Sequence, residues 1–107
     1  MFEYEISNGE AAITGHSPNL SGNVVIPSTI EGYPVTSLND FCFMHSNISS
    51  VSIPDSVINI GMSAFSDCRM LEAVIMPKNL TSISPYMFYG CHSLILQNRG
   101  CEVHAID

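Results

Sequence analysis

The sequence predicts a solenoid of stacked repeats, built mostly from β-strands with short helical turns. A parallel sheet is expected on one face and a β-hairpin cap at the N-terminal end. Three observations predict this fold: an apolar segment ending in proline recurs, apolar residues within each repeat alternate with the period of a strand, and the first residues alternate around a turn signal. The chain has 107 residues, 46% of them hydrophobic, which suffices for one domain with its own core.

The repeat is clearest in the second half of the chain. Met76-Pro77 follows Ile53-Pro54 by 23 residues. The same spacing joins further pairs of like residues: Val57 and Leu80, Ile60 and Ile83, Phe65 and Phe88, Cys68 and Cys91, and Leu71 and Leu94. Such regular recurrence predicts one structural unit per repeat.

A distorted upstream copy begins at Ile26-Pro27. It carries extra residues between positions 28 and 34 and is one residue shorter just after Phe43. Stacked repeats accept such changes in their loops when the core spacing is kept. We therefore expect Phe43, Phe65 and Phe88 to form one column in the interior.

Residues 48–53 and 71–76 are predicted to be equivalent strands. Val74 and Met76 lie two residues apart, which is the period of a strand, so both are expected to point inward. The proline after each strand lacks an amide hydrogen and ends the ladder.

Each repeat is expected to continue through a second extended segment and one tight helical turn. The extended segments are 57–60 and 80–83, and the turns are 62–67 and 85–90. Pro85 suits the first turn of a helix. The helical turn would place Phe65 or Phe88 in the core.

The N-terminal residues are predicted to cover one end of the solenoid. Phe2, Tyr4 and Ile6 alternate, and Asn8-Gly9 favours a hairpin. We expect a single domain over 1–107, with a cap at 1–23, about three repeats at 24–97 and a C-terminal end at 98–107.

The order of residues within a repeat resembles the BspA-like leucine-rich repeat, a class found mainly in bacterial proteins. The resemblance rests on Ile53-Pro54, on Ala64-Phe65 and on a cysteine, Cys68, three residues before a leucine. Gly32-Tyr33-Pro34-Val35 is similar to the segment that often introduces the first full repeat. The resemblance covers about residues 24–97, with departures at Cys42, Ser46, Ser84 and Met87.

This resemblance implies a right-handed leucine-rich-repeat solenoid that binds other molecules and does not catalyse reactions. Many members of the family are cell-surface or secreted proteins linked to adhesion and host contact. We therefore expect a non-catalytic protein-binding or adhesion module, although the fold does not fix the partner. The acidic opening of the chain predicts no signal peptide, so a cytoplasmic location stays open.

Charge and hydropathy exclude two kinds of partner. The chain has three basic and ten acidic residues and a net charge of −7. Nucleic acids and anionic membranes attract basic surfaces, so neither is an expected partner. The longest apolar runs, such as 73–76, are far shorter than the roughly 20 residues that span a bilayer.

The cysteines leave two alternatives and a metal hypothesis. Cys68 and Cys91 are expected to be buried free thiols in equivalent coils, with a disulfide as the alternative because neighbouring strands lie about 5 Å apart. Cys91, His92, Cys101 and His104 are residue types that bind zinc. Adjacent residues of a strand point to opposite faces, so we expect no metal and no cofactor.

No catalytic site is predicted. The serines fall mostly at turn and outer-strand positions, and no glycine-rich phosphate loop follows a strand. The four histidines, His16, His45, His92 and His104, share no position of the repeat.

The outward face of the repeat strands is the candidate interaction surface. Its residues are Ser49, Ser50, Ser52, Glu72, Ala73, Ile75 and Ile95. Ile75 and Ile95 are expected to be exposed, either as a contact patch or as isolated apolar residues. The inserted loop Glu31-Gly32-Tyr33 is a second candidate, because loops on rigid scaffolds often carry contacts.

A second function stays open at this point. The chain can be a structural unit that self-associates and has no external ligand. Three coils are near the minimum for a stable array, and an uncovered solenoid end can pair with a second copy. The alternative is therefore a homodimer formed through one end.

Overall fold

The computed structural model describes residues 1–82 and 84–97, and for residues 95–97 it describes the backbone. This part of the chain holds nine strands: β1 (Phe2–Ser7), β2 (Glu10–His16), β3 (Ser21–Val25), β4 (Thr29–Ile30), β5 (Tyr33–Leu38), β6 (Asn47–Ser52), β7 (Asn59–Ile60), β8 (Ala73–Ile75) and β9 (Ile95–Gln97). The described part of the chain contains no helix that is long and apolar enough to cross a membrane.

The strands form two sheets. In the first sheet β1 is antiparallel to β2, β2 is parallel to β5, and β5 pairs with both β4 and β7. In the second sheet β3, β6, β8 and β9 lie side by side, all parallel. The predicted parallel sheet and N-terminal hairpin are therefore confirmed.

The chain passes from the first sheet to the second once in each coil. It runs from β2 to β3, from β5 to β6 and from β7 to β8, with a turn segment between the two strands each time. Strands β3, β5 and β6 each pair with their equivalent in the next coil, which is the arrangement of a solenoid. The hairpin contributes directly to this stack, because β2 pairs with β5.

The turn segments differ from the predicted helical turns. Residues 62–67 and 85–90 form consecutive turns and contain no helix. The amide of Ser66 donates along the chain to the Ser63 carbonyl at 3.2 Å. The amides of three alternate residues donate to carbonyls of the next coil: Ser63 to Pro85 at 3.2 Å, Phe65 to Met87 at 3.0 Å and Asp67 to Tyr89 at 2.7 Å. A helix would direct all these amides along the chain, so the neighbouring coil replaces the helix with a ladder.

Residues with a left-handed backbone conformation lie near the start and near the end of each of these turns. Three equivalent residues at the start have φ near +60°, namely Phe41 at 62°, Ser63 at 54° and Tyr86 at 59°. Three equivalent residues at the end are also left-handed, namely His45 at 63°, Asp67 at 58° and Gly90 at 79°. Repeated reversal of φ explains why a continuous helical segment does not form.

The interior column of phenylalanines is confirmed. The rings of Phe43 and Phe65 stack with centroids 5.3 Å apart, and those of Phe65 and Phe88 with centroids 5.6 Å apart. All three side chains are buried. His16 covers the N-terminal end of the column, because its ring stacks on Phe43 at 5.7 Å. The same side chain at the same position of each coil thus builds a continuous core.

Candidate interaction face

The strand register of the second sheet forms two rows of residues along the coil stack. The first row contains Asn23, Ser50, Ala73 and Ile95, and the second contains Val25, Ser52, Ile75 and Gln97. The residues between the rows, Val24, Val51 and Val74, are buried beneath the sheet. We call the outward residues Asn23, Val25, Ser50, Ser52, Ala73 and Ile75 the outer face.

Hydrogen bonds fix the polar side chains of the outer face. The Ser49 and Ser50 hydroxyls both donate to the Asn23 carboxamide oxygen, at 3.2 and 2.8 Å. Ser49 lies at a register shift between β3 and β6, and its carbonyl accepts the Glu72 amide at 2.8 Å. A bulge of this kind places two adjacent serines beside one asparagine.

The second row places an apolar residue on each side of a serine. Val25 is 74% exposed and Ile75 is 36% exposed, with the half-buried Ser52 between them in the register. Together with Asn23, Ser50 and Ala73 they line a shallow concavity of about 350 Å³. None of the six residues ionises near neutral pH, so this face can hold apolar and hydroxyl-bearing groups and offers no acid or base for catalysis.

The predicted candidate residues all lie on or beside this face as far as the structure describes them. Ser49, Ser50, Ser52 and Ala73 are half-buried and Glu72 is exposed. The backbone of Ile95 pairs with Ala73, while its side chain lies outside the described part of the chain.

Asn23 and Val25 are not among the residues predicted for this face. Residues 1–23 are predicted to form the cap, whereas β3 begins at Ser21 and forms the first strand of the second sheet. The signal was present, because Val24 and Ile26 before Pro27 alternate as Val51 and Ile53 do before Pro54.

A larger polar groove, which the sequence did not predict, lies along the first sheet. It has a volume of about 630 Å³, and its lining includes Ser37, Asn59 and Ser82 from equivalent coil positions. Glu5 and Asp40 add two carboxylates. The described residues contain no cluster of three metal-binding side chains.

The inserted loop is a second β-hairpin. Glu31 and Gly32 connect β4 to β5, with φ of 55° and 85°, as in a two-residue hairpin turn with both residues left-handed. The Tyr4 hydroxyl donates to a Glu31 carboxylate oxygen, which joins the loop to the N-terminal hairpin. This hydrogen bond also raises the pKa of Tyr4.

The cysteines that the structure describes are free thiols: Cys42, Cys68 and Cys91. Cys91 is half-buried, and its thiol donates to the Phe65 carbonyl at 2.9 Å. His92 is exposed. Cys101 and His104, the other residues of the zinc hypothesis, lie outside the described residues.

Comparison with known proteins identifies the repeat. Residues 21–106 match the family model of the BspA type leucine-rich repeat region, in six copies. No curated protein matches the sequence.

Three solved structures are similar to this chain. A leucine-rich cell surface protein from Faecalibacterium prausnitzii A2-165 superimposes with a TM-score of 0.76 at 28% identity, covering 90% of this chain and 28% of that one. A leucine-rich repeat protein from Bacteroides capillosus gives a TM-score of 0.67 at 38% identity, covering 74% and 63%. The leucine-rich repeat protein of T. pallidum gives 0.77 at 33% identity, covering 87% and 44%.

This chain therefore spans between 28% and 63% of the lengths of these three proteins. Four-fifths of its residues match the repeat model, the stacked coils are present, and the similar structures share the fold. The chain belongs to the BspA-type leucine-rich repeat family.

Proposed function

We propose that this chain is a non-catalytic protein-binding module of a bacterial surface or secreted protein, with a role in adhesion, and that it binds its partner through the outer face. The observation that carries the proposal is the second row, in which Val25 and Ile75 flank Ser52 on a rigid parallel sheet. Exposed apolar residues grouped in a concavity are typical of contact sites.

The composition of the outer face favours a protein partner. It combines apolar side chains with serine hydroxyls and one carboxamide, which suits the mixed apolar and polar surface of another protein. The net charge of −7 opposes binding to nucleic acid. One similar structure is that of a protein described as a cell surface protein, which supports the proposed location.

Two matched substitutions test the outer face. Ile75 and Ile58 are exposed to nearly the same extent, 36% and 39%, and Ile58 lies outside the second sheet. Ile75→Glu and Ile58→Glu therefore add the same charge in the two places. The purified chain is assayed by biolayer interferometry against an array of secreted and cell-surface proteins.

We expect saturable binding to a protein on the array, weakened at least about tenfold by Ile75→Glu and less than about twofold by Ile58→Glu. Val25→Glu is expected to act like Ile75→Glu. Equal effects of Ile75→Glu and Ile58→Glu would show that the outer face is not the contact surface. Failure of the unmodified chain to bind any protein on the array would count against the binding function.

The proposed location has its own test. Antibodies against this chain should label intact cells of the producing bacterium or detect the protein in the culture medium. Labelling that requires cell lysis would contradict a surface or secreted location.

Self-association through a solenoid end is the alternative function. At the N-terminal end β1 is the edge strand of the first sheet, and it carries Glu3 and Glu5. A register shift also interrupts β1 between Glu3 and Tyr4. Charges and bulges on an edge strand oppose pairing with another chain, which counts against a dimer at this end. Light scattering over a range of concentrations separates the alternatives, since a strict monomer excludes self-association.

A further inference from the structure

One interior position brings two cysteines of successive coils together. Ser46, Cys68 and Cys91 are equivalent residues, and the Ser46 hydroxyl lies 3.3 Å from the Cys68 sulfur. On its other side Cys68 lies within hydrogen-bonding reach of the Cys91 thiol. When both thiols are protonated, each can donate instead to a carbonyl of an earlier coil, Cys68 to Phe43 at 3.0 Å and Cys91 to Phe65 at 2.9 Å.

The backbone around this pair has the spacing that a disulfide needs. The amides of Phe65 and Asp67 donate across the coils to Met87 and Tyr89, at 3.0 and 2.7 Å. Strands joined by such bonds lie about 4.8 Å apart. Disulfides span Cα separations of about 4.4–6.8 Å, so a bond between Cys68 and Cys91 requires no separation of the coils.

We propose that Cys68 and Cys91 are a redox-active pair that closes a disulfide between two coils when a low-molecular-weight disulfide is the oxidant. The Cys91 sulfur attacks one sulfur of the oxidant, forms a mixed disulfide and releases the first thiol. The Cys68 sulfur then attacks the Cys91 sulfur, forms the Cys68–Cys91 bond and releases the second thiol. The two cysteines lose two electrons and two protons, and the oxidant gains them as two thiols.

The two cysteines differ in a way that suits these two steps. Cys91 is half-buried and meets an external oxidant, whereas Cys68 is fully buried and meets Cys91. The hydrogen bond from Cys91 lowers the pKa of Cys68 to about 7, and the same bond raises the pKa of Cys91. Near neutral pH the two sulfurs share one proton, and when that proton lies on Cys68 the Cys91 thiolate is free to attack the oxidant.

Cys42 provides an internal comparison. It is buried in the same core, and its burial raises its pKa to about 12. A protonated, enclosed thiol reacts slowly with disulfides. Cys42 is therefore expected to stay reduced under conditions that oxidise the pair.

The test exposes the reduced, folded chain to oxidised glutathione at pH 8, followed by alkylation, mass spectrometry and peptide mapping. We expect a loss of about 2 Da, a peptide that joins Cys68 to Cys91, and a rise of about 10 °C in the midpoint of thermal unfolding. Cys42→Ser should leave the bond unchanged. Cys68→Ser should stop the reaction at the mixed disulfide, with a gain of about 305 Da at Cys91.

Two results would overturn the proposal. One is complete alkylation of Cys68 and Cys91 after exposure to the oxidant. The other is a disulfide that joins Cys91 to a different cysteine, such as Cys101. Both results come from the unmodified chain, so they do not depend on whether the variants fold.

Discussion

Two lines of side chains run along the coil stack, and they differ in how strictly they repeat. The interior column has the same ring in three coils, Phe43, Phe65 and Phe88, each in contact with the next. The second row of the outer face changes from Val25 to Ser52 to Ile75 over the same kind of step. An interior ring packs against rings on either side, so a different side chain would leave a void, whereas an outer residue has solvent on one side. Identity is therefore imposed inside the solenoid, and variation is free on the outer face.

The largest expected effect is at the middle of the interior column. Phe65→Ala should lower the free energy of unfolding by about 4 kcal/mol, because it removes the ring that both Phe43 and Phe88 stack on. Denaturant unfolding followed by circular dichroism measures this change.

Phe41→Ala is the matched control. Phe41 is 51% exposed and two residues from Phe43, and its substitution should cost less than about 1 kcal/mol. Similar losses for both variants would refute the view that stacking in the column holds the coils together.

The second effect concerns the backbone between coils. A Cβ atom on Gly61 would lie 2.5 Å from the Asp40 amide nitrogen and 2.9 Å from the Asn39 carbonyl carbon. Neither backbone atom can move without separating the coils, so Gly61→Ala should cost about 2 kcal/mol in thermal or denaturant unfolding.

Gly15 supplies the contrast for that variant. A Cβ atom there would meet the Glu3 side chain, which is flexible and can turn away. Gly15→Ala should therefore cost much less than Gly61→Ala. The reverse order would mean that the approach of the coils at Gly61 does not limit stability.

The third effect is a pH dependence of stability that arises from the buried cysteines of the interior. The pKa of Cys68 is lowered to about 7 by the Cys91 thiol, against 9.0 in an unfolded chain. Between pH 7 and pH 9 the unfolded state binds more protons at this group, so the contribution of Cys68 to the stability of the reduced protein should rise by about 2 kcal/mol.

Above pH 9 the sign reverses. Burial raises the pKa of Cys42 to about 12, and the hydrogen bond with Cys68 raises the pKa of Cys91, so the folded state then binds more protons. Stability should fall by up to about 1.4 kcal/mol per pH unit for Cys42. Cys42→Ser should make this alkaline fall less steep, and an unchanged profile would contradict the assignment.

The same contrast between interior and surface decides how much the sequence could predict. The interior column was predicted correctly, and so were the ends of β6 and β8 shortly before a proline. Both predictions depend on residues that recur at a fixed spacing. The turns at 62–67 were wrongly predicted as helical, because the acceptors for Ser63 and Phe65 lie in another coil more than 20 residues away. Local propensity contains no information about such partners.

The candidate face was predicted in part for a similar reason. The outward serines follow from alternation within β6. Asn23 was assigned to the cap, because a strong hairpin signal at Asn8-Gly9 precedes it, and Val25 was placed in the repeats but not on this face. The hairpin at Glu31 and Gly32 was also missed, since glutamate rarely adopts the positive φ found there, 55°. Both errors arise where the first coil joins the hairpin and the spacing of later repeats does not apply.

The smallest expected effect is at Val25. It is compared with the effect at Val24, the neighbouring valine of β3 on the opposite face of the sheet. Val24 is 6% exposed and packs in the core, whereas Val25 is 74% exposed on the outer face. Val24→Ala should cost about 2 kcal/mol of unfolding free energy, and Val25→Ala should change it by no more than about 0.5 kcal/mol. Chemical denaturation of the two variants side by side gives both values. If Val25→Ala proved as costly as Val24→Ala, then β3 would need both faces for folding, and its exposed valine would no longer be free to vary with the partner that we propose for the outer face.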